Sequence, residues 1–515
     1  MVKLKYPFPL SALTAGSVLS YYGTCLLNSR GFSPFPGAPF SWAAAFTAAA
    51  VILWSVFLAL GPPAVSPGRP FRHIRILGAS FALGLVLGAC LGAGLPGRLS
   101  LGLPEDRISA LEGVVLEDPR TLSGGSGMAA LELERAWGGN PRVRSSARGR
   151  VTVMFPGGRL EDLKEFGRKS RVYLEGNFLP PRPGEDGPGL FRAAAVHIIS
   201  PAPPLERFRT GLRRNLVSRF SRPENSSWGS LALALLLGVR DNLDSALARS
   251  YREAGISHVL ALSGMHLAVL SALIAFIFRP PLGQKGAAVL GAFFILAYVF
   301  LVGSQPSLDR AAIMYIIGAL AVIFSLARNP ASILNLAFLV QILIRPESGI
   351  SISFILSYLA LWGILHIGLR IAGLFRGRIP PFLLDPLVAS LGAFIATSSV
   401  SAAGFGMLRP VGILAGLAVV PLTTLFMVLS MGYLALDLAF PFLARYLGMA
   451  LSLFYKVLEK LVVFSSGAPG IVLKNPAGAF GFGAWVLALS VLLAFLIFIF
   501  AERRRLAISR IPPLS

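Results

Sequence analysis

Long apolar runs separated by short charged breaks fill most of the chain, and one internal stretch keeps a different period. Runs of about 20 apolar residues are long enough to cross the hydrocarbon of a bilayer. They are expected at 9–28, 40–60 and 76–95, and again at 257–278, 285–303, 309–327, 331–344, 350–370, 384–404, 411–436, 443–465 and 482–501. The pattern predicts a polytopic α-helical membrane protein of about twelve transmembrane helices. Lys456, Glu459 and Lys460 interrupt 443–465, so that run either pairs its charges at helical spacing or lies in the interface.

From about 105 to 200 the runs shorten and begin to alternate. ISALEGVVLEDPR, AALELERAW, GRVTVMF, SRVYLEGNFLP and AAAVHIIS are separated by Gly, Pro and charged residues. Five strands with such breaks predict a small all-β domain, a barrel of the OB type, inserted after the third span. The resulting division is 1–100 (three spans), 101–202 (β domain), 203–256 (connecting helices) and 257–515 (the main helical bundle). Within the connection, Leu205, Phe208, Leu212, Leu216 and Phe220 recur at three- and four-residue steps among Arg207, Arg209, Arg213, Arg214, Arg219 and Arg222. This is a basic amphipathic helix, expected at a membrane surface. SLALALLLGVR, at 230–240, is too short to span and reads as re-entrant or buried.

Composition agrees with the pattern. Only 14% of residues are charged and mean hydropathy is +0.70, against about 25% charged in ordinary soluble domains. The net charge is +23. Residues 105–200 hold 14 basic and 13 acidic side chains, so the excess belongs mostly to the membrane portion. Arg69, Arg72, Arg75, Arg279, Lys285, Arg328, Arg370, Arg376 and Arg378 fall in alternate loops, and the opposite loops hold few cations beyond Arg30, Arg345, Arg409 and Lys474. The asymmetry predicts both termini in the cytoplasm and the β domain outside it. Cys25 and Cys90 fall in expected spans and read as buried thiols, with pairing open.

The candidate chemistry is sparse. His258, Ser263, Gly264 and His266 enter one apolar run, GISHVLALSGMHL. On a continuous helix the two histidines would share a broad face about 12 Å apart, too far to hold one metal ion. In VGSQPSLDRAAIMY, Pro306 fits a helix start, Ser307 is a candidate cap, and Arg310 needs Asp309, a facing carbonyl or a ligand phosphate. Ser357 and Tyr358, and the run ATSSVSAAGFG at 396–406, are weaker candidates for a wet path or close helix packing. A satisfied structural role stands beside a functional one for each of these groups.

AGISHVLALSGMHL, together with the preceding ALLLGVRDNLDSALARSYRE, resembles the central block of the ComEC family of competence proteins. LEGVVLEDPR, GPGLF, GSQPSLDRAAIM and FILSYLALWGI are similar to further blocks in the same order. Tyr358 replaces the usual Phe, and Gly416 in GILAGLAVVPL replaces the usual Asn of a loop. The resemblance implies a channel in the bacterial cytoplasmic membrane that conducts single-stranded DNA during transformation. It implies no enzyme activity and no cofactor or metal, with His258, Ser263, Gly264, His266, Ser307, Arg310 and Ser357 lining or shaping the path. Longer members carry a C-terminal metallo-β-lactamase-like domain. The five histidines here include no His-x-His-x-Asp-His cluster, so no nuclease is expected in this sequence. No Walker motif is present. A separate DNA receptor, motor ATPase and nuclease are therefore the expected partners, besides lipid and DNA, and a homo-oligomer is left open. The rival readings are a transporter of a small polar or lipid-linked substrate and an integral-membrane enzyme.

Overall fold

The alternating runs of 108–200 become five long strands joined into one circuit. The computed structural model describes residues 13–18, 20–22 and 86, residues 100–200 apart from 122–125, 139–143, 156–166 and 180–189, and residues 201–509 apart from 242, 474 and 475. The chain divides into two units, one of 96–243 with 300–303, the other of the remainder. In the first, the strands are β1 (Ser100–Leu101), β2 (Ile108–Val115), β3 (Arg120–Thr121), β4 (Gly127–Gly138), β5 (Arg144–Phe155), β6 (Arg171–Phe178) and β7 (Phe191–Ser200). The order is β1-β5-β7-β6-β2-β4-β3, and an added β5–β4 pairing closes the five long strands on themselves. All their ladders are antiparallel except β5–β7. Leu111, Leu131, Leu133, Val151, Val153, Val172, Leu174 and Phe191 point inward at every second position and form the core. The ladders slip at Glu112/Gly113 and Glu175/Gly176. A Cβ at Gly113 would lie 2.3 Å from the Glu132 carbonyl oxygen, and one at Gly176 2.0 Å from that of Arg192, so only glycine fits these bulges.

Helix α1 (Pro204–Phe220) follows β7, and its buried side is charged. Arg209 Nε donates to Glu206 Oε2 at 2.7 Å, Arg209 Nη2 to Asp118 Oδ1 at 2.5 Å, and Arg213 Nη1 to Asp118 Oδ2 at 2.8 Å. The same guanidiniums donate to the carbonyls of Leu301 (3.3 Å) and Val302 (3.2 Å). Beyond α1, Phe220 packs edge-on against Trp228. The expected short apolar segment is α2 (Gly229–Leu237), nine residues buried except for Ser230 and ended by Gly238 in the left-handed region at φ 68°.

The second unit is helical. Residues 13–18 and 20–22 are helical, and Tyr22 Oη donates to the Gly349 carbonyl at 2.7 Å. The rest of the three N-terminal spans, with Cys25 and Cys90, lies outside the described residues. Then come α3 (Ser245–Glu253), α4 (Ser257–Leu260) and α5 (Gly264–Val302). Pro280 and Pro281 lead into a non-helical Gly283 at φ 68° within α5. Phe278 and Phe294 stack with centroids 6.2 Å apart, whereas sixteen residues of straight helix would separate them by about 24 Å. The chain therefore folds back, and α5 is two antiparallel arms, matching the two separate spans expected there. After it come α6 (Pro306–Ile323), α7 (Pro330–Ile344) and α8 (Ile352–Gly363), which a π-turn at Ile364–Gly368 carries on through Phe375. Last come α9 (Pro381–Phe405), α10 (Gly412–Ala439), α11 (Pro441–Ser466) and α12 (Pro476–Ser509). Among the described residues six helices are long and apolar enough to cross a membrane: α5, α6, α8 with its continuation, α9, α10 and 481–501 of α12.

Packing follows small residues. A Cβ at Gly363 would lie 2.2 Å from the Gly392 carbonyl oxygen, so α8 and α9 cross at backbone contact. Ser398 and Ser490 approach at 3.2 Å between α9 and α12, which assigns part of the serine run to helix packing. The charged helix α11 buries Ala444, Gly448, Leu451, Tyr455, Leu458 and Val462, a seven-residue repeat packed largely on α10. Strand β8 (Met407–Leu408) before α10 pairs with β9 (Ile471–Val472) after α11, tying the two as an antiparallel pair. Gly416 lies within α10, not in the expected loop. The GILAGLAVVPL run is almost wholly apolar and continues as helix despite its glycines.

The Asp118 cluster yields a pH-dependent prediction. Burial opposes ionisation of Asp118, but the hydrogen bond from Arg209 and the charges of Arg209, Arg213 and Arg168 outweigh it. They hold the carboxyl below its ordinary 3.8. The folded chain thus binds this proton less readily than the unfolded one. The stabilisation is complete above the unfolded value and drains away as pH falls through the lower folded value. Asp118→Asn is expected to loosen α1 by about 2 kcal/mol at neutral pH, the cost of losing the carboxylate's charge-assisted hydrogen bonds from Arg209 and Arg213. Faster hydrogen exchange at the α1 amides of the detergent-solubilised chain would report it, and the gap from wild type should close in acid below 3.8.

Candidate functional site at a broken helix

The apolar run 257–278 does not form one helix. The short α4 ends at Leu260, Ala261 is extended (φ −75°, ψ 135°), and helix resumes at Gly264. Ser263 and His266 build the new start between them. Ser263 Oγ accepts from the Met265 N–H at 3.3 Å, and the Ser263 N–H donates to His266 Nδ1 at 3.0 Å. This is the reciprocal logic of a capping box, with imidazole in place of the usual Glu or Gln three residues on. It explains the Ser-Gly-Met-His spacing. An Nδ1 that accepts a backbone N–H carries no proton, so the ring is neutral and its proton sits on Nε2. His266 is 2% exposed, and Nε2 has no hydrogen-bond partner among the described residues.

The break corrects the helical geometry expected of the two histidines. His258 lies on α4, on the far side of the extended turn, and is exposed, while His266 is buried on α5. They do not share a helix face. Gly255, Ser257 and His258 belong to a separate corner, where Gly255 (φ 73°) meets Arg409 and Gly412.

Helix α6 brings the second motif to the break. Ser307 does not cap it, because the N-cap is Gln305 with no side-chain bond. Instead Ser307 Oγ donates to the Leu262 carbonyl at 2.7 Å, satisfying backbone that the break leaves bare. Arg310 reaches the same place, since a Cβ on Gly264 would lie 2.9 Å from Arg310 Nη2. Of the three partners considered for Arg310, the structure supplies the facing carbonyl. Nη1 donates to the Ser357 oxygen of α8, and the guanidinium lies over the Tyr358 ring at 5.7 Å. Asp309 pairs instead with Ser304 and with Arg345, the latter at 3.3 Å. Ser357 thus serves through its backbone.

Gln341 was not foreseen, although an amide inside the apolar LVQILI of α7 was a legible signal. Tyr358 Oη donates to Gln341 Oε1 at 2.8 Å, and Gln341 Nε2 donates to the Pro306 carbonyl at 2.9 Å. The relay ties α8, α7 and α6 around the arginine. Arg310 is 8% exposed, and its Nε, like His266 Nε2, finds no acceptor among the described residues. Both groups are N–H donors. The arrangement offers hydrogen bonds to an acceptor such as water, a phosphate oxygen or a base edge. Among the described residues no three His, Cys, Asp or Glu side chains gather as a metal site would require.

Tyr358→Phe removes the donor that fills Gln341 Oε1. A loss of about 1–2 kcal/mol is expected, the usual cost of one buried unsatisfied acceptor, measured by unfolding of the solubilised chain. An unchanged stability would show that water replaces the phenol.

Comparison with known proteins places this site inside a family region. No solved structure matches the chain. ComE operon protein 3 of Bacillus subtilis (strain 168) is 30% identical over 157 residues, 28% of this chain and 20% of that protein. An uncharacterized protein of Aquifex aeolicus (strain VF5) is 29% identical over 277 residues, 52% of this chain and 62% of that one. The chain therefore spans less than two thirds of either relative. The sequence profile of the family described as Competence protein matches residues 235–504, more than half of the chain, and takes in the broken helix, Arg310, Gln341 and Tyr358. The chain belongs to the competence protein family.

Proposed function

We propose that the chain conducts single-stranded DNA across the bacterial cytoplasmic membrane, and that the turn at Ala261–Ser263 with His266 and Arg310 forms part of the conduit wall. One observation carries the reading. Two buried N–H donors, His266 Nε2 and Arg310 Nε, belong to side chains at a helix break in an apolar bundle and have no acceptor among the described residues. Donors at membrane depth are costly unless something fills them, and irregular backbone is tolerated there chiefly where it is enclosed by protein or lines water. A DNA strand is rich in acceptors along its whole length. Both groups are buried among protein rather than turned outward.

The strand circuit of the β unit, with its single parallel β5–β7 pairing, supports an OB-like reading. In this proposal the unit lies outside the cytoplasm and both termini lie within it, following the loop charges. The chain acts as a channel and not as an enzyme. A receptor, a motor and a nuclease on other polypeptides deliver, pull and degrade DNA.

The test is uptake of labelled DNA by a deletion strain carrying variants. Glu at position 266 can keep the cap, because it accepts the Ser263 N–H as the imidazole does, but it removes the Nε2 donor and adds a charge that repels phosphate. His266→Glu and Arg310→Ala are expected to hold normal membrane levels and to lower uptake about tenfold or more, one lost contact of about 1.4 kcal/mol each. Wild-type uptake with His266→Glu would reduce the histidine to a cap and overturn the wall. Loss of uptake of a small polar solute with DNA uptake intact would favour the rival transporter.

A further inference from the structure

We propose that α3 and the adjoining flank of α11 form one wall of a water-filled cleft that runs from the start of α10 to its mid-length and takes the phosphate backbone of a nucleic acid strand. The cleft rests on the membrane reading of α10, and its occupant rests on the proposed function. Depth is set by α10 and α11, which run antiparallel. Phe440 ends the first and caps the second, β8 pairs with β9 at the far end, and between them Phe426 stacks on Phe454 with centroids 6.2 Å apart. Phe426 is central in the 28 residues of α10. Lys456, just past Phe454, therefore stands near mid-length, and Lys460 stands about 6 Å nearer the β9 end. A helix of 28 residues is about 42 Å long, so its middle lies well inside about 30 Å of hydrocarbon.

Helix α3 packs on α11 in the same half of the span. Gly255, just beyond its C-terminus, meets Gly412 at the start of α10. From there the helix runs inward, since the Tyr251 hydroxyl lies beside Thr423 and Asp244 lies near Tyr455. Leu247 and Tyr251 are buried, and Arg249 falls about 180° around the helix from them, with Ser245 and Arg252 beside it. These three are exposed, as are Lys456 and Lys460. None of the four cations makes an ion pair among the described residues. The acids of the same elements are otherwise placed. Asp244 accepts the Ala246 N–H at 2.9 Å, Glu459 is half-buried beside Tyr455, and Glu253 is half-buried. Charged groups at membrane depth face a bundle interior or a water-filled cavity. Protein does not cover these four, so water does. The helix break stands at the same depth, because Thr424 Oγ1 donates to Met265 Sδ at 3.6 Å. Cations repeated along two helices suit a ligand of repeated charge, and a phosphodiester chain carries one charge on every nucleotide.

The experiment uses the full chain, with Cys25→Ser and Cys90→Ser, reconstituted in vesicles of phosphatidylethanolamine and phosphatidylglycerol. Single cysteines replace Arg249, Arg252, Lys456 and Lys460, and Leu425→Cys, at the middle of α10 and 47% exposed, is the reference for a surface against lipid. A membrane-impermeant sulfonated maleimide is added, and each rate is normalised to labelling in denaturing detergent. The four cleft positions are expected to react at least tenfold faster than Leu425→Cys. A twenty-nucleotide oligothymidylate is expected to slow them several-fold, and inorganic phosphate at the same phosphate concentration is expected to leave them unchanged. Rates no faster than the reference would remove the cleft. Fast labelling that the oligonucleotide does not slow, or that inorganic phosphate slows equally, would overturn the assigned occupant. The rates without DNA do not depend on conduction, and the uptake test of His266 and Arg310 does not depend on these positions, so either can fail alone.

Discussion

Backbone N–H and C=O groups in an apolar medium must find partners within the protein, and the bundle around residues 261–266 is organised by that requirement. A helix that stops and restarts exposes several such groups at once. Ser263 and His266 satisfy the new N-terminus, and Ser307 of a neighbouring helix takes the Leu262 carbonyl. Gly264 is the residue that lets Arg310 close over this corner. What remains after the backbone is satisfied is the imidazole Nε2–H and the guanidinium Nε–H, both buried and without an acceptor among the described residues. Under the proposed function, structural and functional roles coincide on His266 and Arg310. One face of each group is spent on the fold and the other is left over.

Arginine recurs in this role. Arg310 binds the Ser357 carbonyl, Arg209 and Arg213 bind those of Leu301 and Val302, and Arg409 binds that of Ala468 at 3.2 Å. Arg209, Arg213 and Arg409 cap backbone at helix ends, whereas Arg310 reaches a carbonyl within α8. Five donors on a rigid plane suit this work, because the charge survives burial and one fork serves several acceptors. The large positive charge of the chain is thus only partly a topological signal. A share of it is backbone chemistry, carried out where helices end.

Glycine sets the other limit. The close crossing of α8 and α9 at Gly363 and Gly392, the bulges at Gly113 and Gly176, and the reversal at Gly283 all depend on a missing Cβ or a left-handed backbone. The first brings helices into contact, the second closes the strand circuit, and the third turns one long apolar run into two arms.

Periodicity carried most of the architecture. Five alternating runs became the five long strands, and every apolar run described after residue 256 became helix, because burial of a repeated face needs no knowledge of the neighbour it meets. The chemistry-bearing residues were also visible, as polar letters in apolar text. Their partners were not. Whether His266 shares a face with His258, whether Ser307 caps its own helix, and whether Arg310 reaches Asp309 or a distant carbonyl depend on a break that costs no apolar residue and leaves no mark in hydropathy. The orientation of α1 was hidden for the same reason. An amphipathic pattern defines two faces, but which face meets protein is decided by Asp118 and by the carbonyls of Leu301 and Val302, some ninety residues away on either side. Only the folded chain brings those groups together.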